Sequence, residues 1–271
     1  MSHLNSPSRT LMWAAVGAAA LVTTLLVPAT STQAAAVSLP PTHAGFDYQI
    51  GGAYTPPAGV KVVTRDHTAS PAAGLYNICY VNAFQAQPGA EGEWAADLLL
   101  RDSAGKVVYD TDWGEALLDV RTEAKQKRVA AQIGAQIDGC RDKGFQAVEP
   151  DNYDSYTRSA KLITAANAQA YIKLLSARAH ADNLAIAQKN TAELAGNRTA
   201  NGLDFAVAEE CGQYDECDDY TSAFGNRVIV IEYTDAGRKK ACKGWGSTLS
   251  IVQRDVDVSP VGSGGYVRKT C

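Results

Sequence analysis

At 271 residues and a net charge of −4, the chain has room for one domain with a sizeable core, and its mild acidity, with no basic cluster, argues against a nucleic-acid partner. His3, His43, His67 and His180 are scattered and no Cys-x-x-Cys pair occurs, so neither composition nor spacing offers a metal site.

Arg9 carries the only charged side chain of the first 36 residues. An uninterrupted stretch of apolar, small and Thr residues follows over 11–27, then Pro28, a Ser/Thr/Gln patch and Ala34-Ala35-Ala36. This is the layout of a secretory signal peptide, with cleavage expected after Ala36. An uncleaved anchor is the alternative, because the stretch is about as long as a short membrane span; the Ala-rich exit favours cleavage. The expected product is one secreted domain, 37–271, without stable membrane association, and losing Arg9 takes the net charge from −4 to −5. Its six cysteines, an even number in an oxidising compartment, imply three disulfides. The expected pairing is Cys79–Cys140, Cys211–Cys217 and Cys242–Cys271; the second closes a short acidic loop and the third ties down the C-terminal tail.

After a Pro-containing lead-in over 37–44, strand-like and helical runs alternate, which argues for βα units around a parallel sheet. Strands are predicted at 47–50, 60–65, 76–81, 117–121, 147–149, 184–189, 205–209, 228–233 and 249–254. That is one run too many for the eight slots of a (β/α)₈ barrel, the expected fold; the last run is taken as an additional strand. Helices are predicted at 123–143, where Val129, Ile133, Ile137 and Cys140 recur at helical spacing before the stop at Gly144, and at 167–182. The stretch 85–113 reads as an irregular loop or hairpin over the active face.

Two runs, VEPDNYDSY (148–156) and VAEECGQYDEC (207–217), start apolar and end in carboxylates. Barrel enzymes place their chemistry at such C-terminal strand ends, and a pair of carboxylates is what glycoside hydrolysis requires. Alternation puts Ala147, Glu149 and Asp151 on one face, with Val148 and Pro150 on the other. Pro150 restricts Glu149 to an extended conformation. A helix cap at Asp151 or Asn152 is the plain alternative, but a cap does not need three polar groups in four positions. In LDFAVAEEC (203–211), Phe205 and Val207 are expected outward and Ala206 and Ala208 inward, which would aim Glu210 into the barrel and Glu209 out. Other strand ends supply Tyr80 or Asn82, Asp119 with Arg121, Lys189, and Glu232. Together they describe a polar, acidic, sugar-sized cleft. No Gly-x-Ser-x-Gly elbow or phosphate-cradling loop occurs, and the acids at 215–219 lack EF-hand spacing.

At these residues the chain resembles glycoside hydrolase family 114, the endo-α-1,4-polygalactosaminidase family. The matching segments run in order: FDYQIGG (46–52), ICYVNA (78–83), WGEALLDVR (113–121), GFQAVEPDN (144–152), AHADNLAIAQKN (179–190), DFAVAEECGQYDEC (204–217) and VIVIEYTD (228–235). The chain departs from the family pattern in a shorter first strand with less Trp, and in Ala208 where the family usually has Asn. The resemblance implies a (β/α)₈ barrel that cleaves α-1,4-linked galactosamine-rich polymers, with Asp151 and Glu209 as the catalytic pair. It therefore selects Glu209 over the Glu210 that strict alternation prefers. Asp has the lower reference pKa, so Asp151 is expected as nucleophile and Glu209 as acid/base. Tyr80, Asp119, Arg121, Glu149, Asn152, Lys189, Glu210 and Glu232 are expected to bind substrate. No metal or organic cofactor is expected, the partner is a cationic, galactosamine-containing polysaccharide, and the protein is expected to be a monomer. A non-catalytic sugar-binding barrel and a hydrolase of another glycan are the alternatives.

Overall fold

The computed structural model describes residues 37–271; the expected signal peptide and its cleavage site at Ala36 lie outside the described residues. Eight parallel strands follow one another around a curled sheet: β1 (Gly45–Gln49), β2 (Val60–Asp66), β3 (Tyr76–Asn82), β4 (Ala147–Asp151), β5 (Ala185–Lys189), β6 (Phe205–Glu209), β7 (Val228–Glu232) and β8 (Ser250–Arg254). Each pairs in parallel with the next, and a short β9 (Arg268–Thr270) runs antiparallel on β8. The main helices are α1 (Glu123–Lys143), α2 (Ala165–Ala181), α3 (Cys217–Phe224) and α4 (Asp235–Trp245).

β1 and β8 lie in contact, and side chains bridge the seam between them. The Ala44 N–H donates to Ser250 Oγ at 2.9 Å, and Arg268 of β9 reaches Asp47 Oδ1 at 3.1 Å and the Phe46 carbonyl at 2.9 Å. The strand-bearing barrel expected from the sequence is therefore present, with two corrections. The run 249–254 is not the additional strand; it is β8, in register with β7. The run 117–121 is not a barrel strand: Glu115–Leu117 is the middle strand of a separate antiparallel sheet with Gln85–Ala86 and Tyr109–Asp110. Its apolar residues Leu117, Leu118 and Val120 are buried, so its hydrophobicity serves packing of the β3–α1 insertion and not a place in the ring.

Two cores flank the strands. The inner one holds Phe46, Tyr48, Val62, Ile78, Ala147, Ala187, Phe205, Val207, Ile229, Ile231 and Val252. The outer one joins Val148, Ile186, Ala206, Ala208 and Val230 to helix residues, including Val129, Ile133 and Ile137 of α1. Helix α1 starts at Thr122, whose side chain accepts from the Lys125 N–H, and stops at Gly144 with φ 91°, a left-handed turn that favours glycine. All three expected disulfides are present: Cys79–Cys140 ties β3 to α1, Cys211–Cys217 closes the loop after β6, and Cys242–Cys271 fastens the end of the chain to α4. Among the described residues, no helix is long and apolar enough to cross a membrane.

Candidate active site

The C-terminal ends of β4, β5 and β6 meet around one ammonium group. Lys189, the last residue of β5, is almost fully buried. Its Nζ lies 3.0 Å from Asp151 Oδ1, 3.2 Å from Glu149 Oε1 and 3.4 Å from Glu209 Oε1. Tyr48 OH, 3.1 Å from the same nitrogen, donates to Glu149 Oε1 at 2.8 Å. Glu149 is wholly buried under the site, while Asp151 and Glu209 keep 17% and 22% of their side-chain surface open. Those two carboxylates can therefore meet a ligand; Glu149 supports them from below.

Hydrogen bonds fix both exposed carboxylates. Tyr80 OH donates to Asp151 Oδ2 at 2.7 Å and the Asn152 N–H to Oδ1 at 2.8 Å. Glu209 Oε2 accepts from Asn190 Nδ2 at 2.9 Å, its own N–H donates to Asn190 Oδ1 at 2.8 Å, and Tyr233 OH donates to Glu209 Oε1. Burial pushes the Asp151 carboxyl up, but the Lys189 ammonium and the Tyr80 and Asn152 donors outweigh it and hold the group below the ordinary range. For Glu149 burial wins: despite Lys189 and Tyr48, and with the Asp151 and Glu209 charges adding to the effect, it is pushed up to about 6. Burial lowers Lys189, but the carboxylates around it raise it well above the usual lysine value. One cation thus sustains the ionised form of a cluster that could not otherwise hold several negative charges.

Backbone geometry explains why these side chains stop at the mouth. Asn152, Asn190 and Glu210, each immediately after a site residue, have φ of 64°, 51° and 57°. The left-handed conformation breaks the pleat there. Glu210 is thereby turned out of the alternation and does not line the cleft. The inner and outer faces of β6 are also the reverse of those expected. Phe205 and Val207 fill the barrel, Ala206 and Ala208 back onto helices, and Glu209 faces inward without any bulge.

A cleft of about 760 Å³ opens above the pair, lined by Tyr80, Asn82, Asp151, Asn152, Asn190, Glu209 and Tyr233. It also reaches Asp66 and Asp257, and the insertion contributes Glu93, Trp94, Trp113 and Glu115. Of the residues expected to bind substrate, Tyr80 and Asn152 line it, and Glu149 and Lys189 lie beneath its floor. The other four, Glu210 already described and Asp119, Arg121 and Glu232, stand elsewhere. Asp119 is buried against Arg121 at 2.8 Å and Lys125 at 2.5 Å, an ion cluster at the start of α1 beside a different depression. This follows from the segment being no barrel strand. Glu232 points outward, where its Oε1 accepts from the Gly212 N–H at 2.7 Å. The inward position at that strand end belongs to Tyr233. Tyr48, Asn190, Tyr233 and Glu115 had not been singled out. Tyr48 and Tyr233 were recoverable from alternation with Phe46 and with Ile229 and Ile231, whereas Glu115 arrives from an insertion whose path no periodicity encodes. Among the described residues, no group of three or more His, Cys, Asp or Glu side chains is arranged to hold a metal ion.

An eight-stranded barrel presenting two carboxylates to an open cleft, from the strand ends on either side of Lys189, has the layout of a glycoside hydrolase. The family model for glycoside-hydrolase family GH114 matches residues 27–271, and the chain belongs to that family. The fold is similar to that of Aspergillus fumigatus Ega3, solved in complex with galactosamine: TM-score 0.72 and 23% identity, covering 87% of this chain and 98% of that one. It is also similar to the glycoside hydrolase domain of PelA from Pseudomonas aeruginosa, with TM-score 0.55 and 13% identity over 81% of this chain and 96% of that one. No curated protein matches the sequence.

Proposed function

We propose that the protein is a secreted, endo-acting hydrolase of α-1,4-linked galactosamine-rich polysaccharide, with Asp151 as nucleophile and Glu209 as acid/base. The observation that carries this reading is the convergence of both carboxylates on Lys189. Two oxygens that each touch one ammonium, at 3.0 and 3.4 Å, cannot be farther apart than those distances combined. Both carboxylates can therefore reach one glycosidic bond, as the two-carboxylate reaction requires.

In the first step Asp151 attacks the anomeric carbon and the glycosidic bond breaks. Its electron pair passes to the leaving oxygen, which takes a proton from Glu209. In the second, Glu209 removes a proton from water, the water attacks the glycosyl–enzyme ester, and Asp151 is released. Asp151 suits the first role because Lys189, Tyr80 and Asn152 keep it ionised despite its burial.

The substrate class rests on the family, on the galactosamine bound by Ega3, and on the charge of the walls. Beyond the pair, Asp66, Glu93, Glu115, Asp154 and Asp257 line the cleft. The one lysine or arginine among the described lining residues, Arg158, is engaged by Asp110 at 2.5 Å and Asp154 at 2.6 Å. Such a groove suits a polymer bearing free ammonium groups. Three disulfides accord with an oxidising compartment. Asp151→Asn and Glu209→Gln should each lower oligosaccharide release from deacetylated polygalactosamine by at least ~100-fold with the fold intact. Full activity in both variants would overturn the assignment, and binding of the polymer by the wild type without release would make the protein a sugar-binding barrel.

A further inference from the structure

Glu115 is a carboxylate that the reaction does not use. It sits on the middle strand of the insertion sheet, only 9% exposed, and lines the cleft beside Asn82, Asp151 and Asn152. Its Oε2 accepts from Asn82 Nδ2 at 2.8 Å and lies 3.4 Å from Asn152 Nδ2. Its Oε1 receives no hydrogen bond from the protein, yet it is not among the sealed, unpartnered polar atoms of the interior. Hence Oε1 opens onto the cleft. No Lys, Arg or His comes within 4.0 Å of this carboxylate among the described residues. Arg158, the nearest cationic influence on it, spends its donors on Asp110, Asp154 and the Asn152 side chain.

A nearly buried carboxylate with neutral amide donors on one oxygen and an open second oxygen lacks a counter-ion. Burial pushes the group up to about 7, with the Asp151 and Asp110 charges adding to the effect and the Asn82 donor opposing it. An incoming cation relieves that cost. A hydroxyl or an acetamido group does not, because neither brings a positive charge, and the acetamido group also needs more room.

We propose that Glu115 is the specificity residue that accepts the substrate's free 2-ammonium group at the subsite beside Asp151, selecting amino sugars over their N-acetylated or 2-hydroxyl counterparts. This rests on the hydrolase reading above and names what that cleft selects. The chemistry fits the location: the 2-amino group is borne by the carbon next to the anomeric carbon, so the group that reads it belongs next to the nucleophile.

The test is cleavage of partially N-acetylated polygalactosamine by the wild type and by Glu115→Gln, followed by mass-spectrometric sequencing of the products. Glutamine keeps an acceptor for Asn82 and removes the charge. Wild-type products should carry a free amine at the new reducing end. In the variant that preference should fall ~10–100-fold, the scale of a lost charge-assisted hydrogen bond. On the wild type alone, free galactosamine should compete with substrate at least ~10-fold better than N-acetylgalactosamine or galactose, a measurement that does not depend on the variant folding. Unchanged acetylation selectivity in an active Glu115→Gln, or equal competition by the three sugars, overturns the proposal while leaving the hydrolase reading standing. Absence of any release by the wild type removes that reading and this proposal with it.

Discussion

Removing the ammonium at the centre of the site should damage stability and the pH profile together. In Lys189→Met, Glu149, Asp151 and Glu209 would remain with no cation at the point where Nζ now touches all three, at 3.2, 3.0 and 3.4 Å. Breaking a buried ion pair by deleting one partner costs roughly 3–5 kcal/mol. A domain of this size loses about 2–4 °C of melting temperature per kcal/mol, so the midpoint at pH 8 should drop by roughly 6–20 °C. The sign of its pH dependence follows from the same charges. Without Lys189, burial lifts the folded-state Glu149 and Asp151 carboxyls above their unfolded values. Stability is then retained in acid, where the groups are protonated, and is lost as pH rises through the raised values. The deficit against wild type should therefore be smaller at pH 5 than at pH 8. Activity should show the counterpart: Asp151 no longer has the cation that outweighs its burial, so the acid limb of the activity profile should move to higher pH. Thermal melts across pH, with hydrolysis rates on the same preparations, check both. A midpoint within ~2 °C of wild type at pH 8, together with an unmoved acid limb, would refute the electrostatic role given to Lys189.

Two further outcomes follow from the wall behind Glu209, the proposed acid/base. The Cys211–Cys217 bridge spans only six positions, so it removes little unfolded-chain entropy. It begins two residues after Glu209, and a displacement of about 1 Å in a catalytic group can cost ~100-fold; Cys211→Ser/Cys217→Ser should lose proportionally far more turnover than melting temperature, and peptide mapping that joins Cys211 to another cysteine would end the idea. Glu232, buried behind the same loop, is pushed from the usual 4.5 up to about 7 by burial, with the Glu210 charge adding and the Gly212 N–H opposing. Its contribution to stability is complete below pH 4.5 and fades as pH rises through 7. The melting temperature of Glu232→Gln relative to wild type should accordingly rise between those values and level off above, and a flat difference would contradict the burial argument.

Much of the site was legible because barrel chemistry leaves a local trace. A strand that runs apolar and then ends in EPDN needs a polar mouth, and the spacing of Ala147, Glu149 and Asp151 already put all three on one face. Glu210 could be displaced from its alternation position only by the left-handed turn at φ 57°, a conformation that a run of two glutamates does not announce. Glu232 was misplaced for a related reason: a carboxylate at a strand end looks the same whether it opens to the mouth or is sealed against Gly212 and Gly237. A side chain on either glycine would run into Glu232, with an added Cβ 2.8 Å from Oε1 or 2.1 Å from Oε2 respectively.

The sequence by itself determined the barrel class, the number of disulfides and the acid-tipped strands, since periodicity, cysteine parity and strand-end chemistry act over a few residues. Which face of β6 turns inward was decided only by the tertiary structure. Both faces of a parallel barrel strand are buried, so Phe205-Ala206-Val207-Ala208 alternates in size and not in polarity. The choice belongs to the volume left by other strands: the interior takes Phe205 and Val207 where β4 and β5 offer Ala147, Ala185 and Ala187, and the small Ala206 and Ala208 meet the helices. The same holds for the ring's membership, where β8 was admitted and 117–121 was not, and for Glu115, delivered to the cleft by an insertion. These outcomes depend on how distant segments share space around a curled sheet, which no local pattern records.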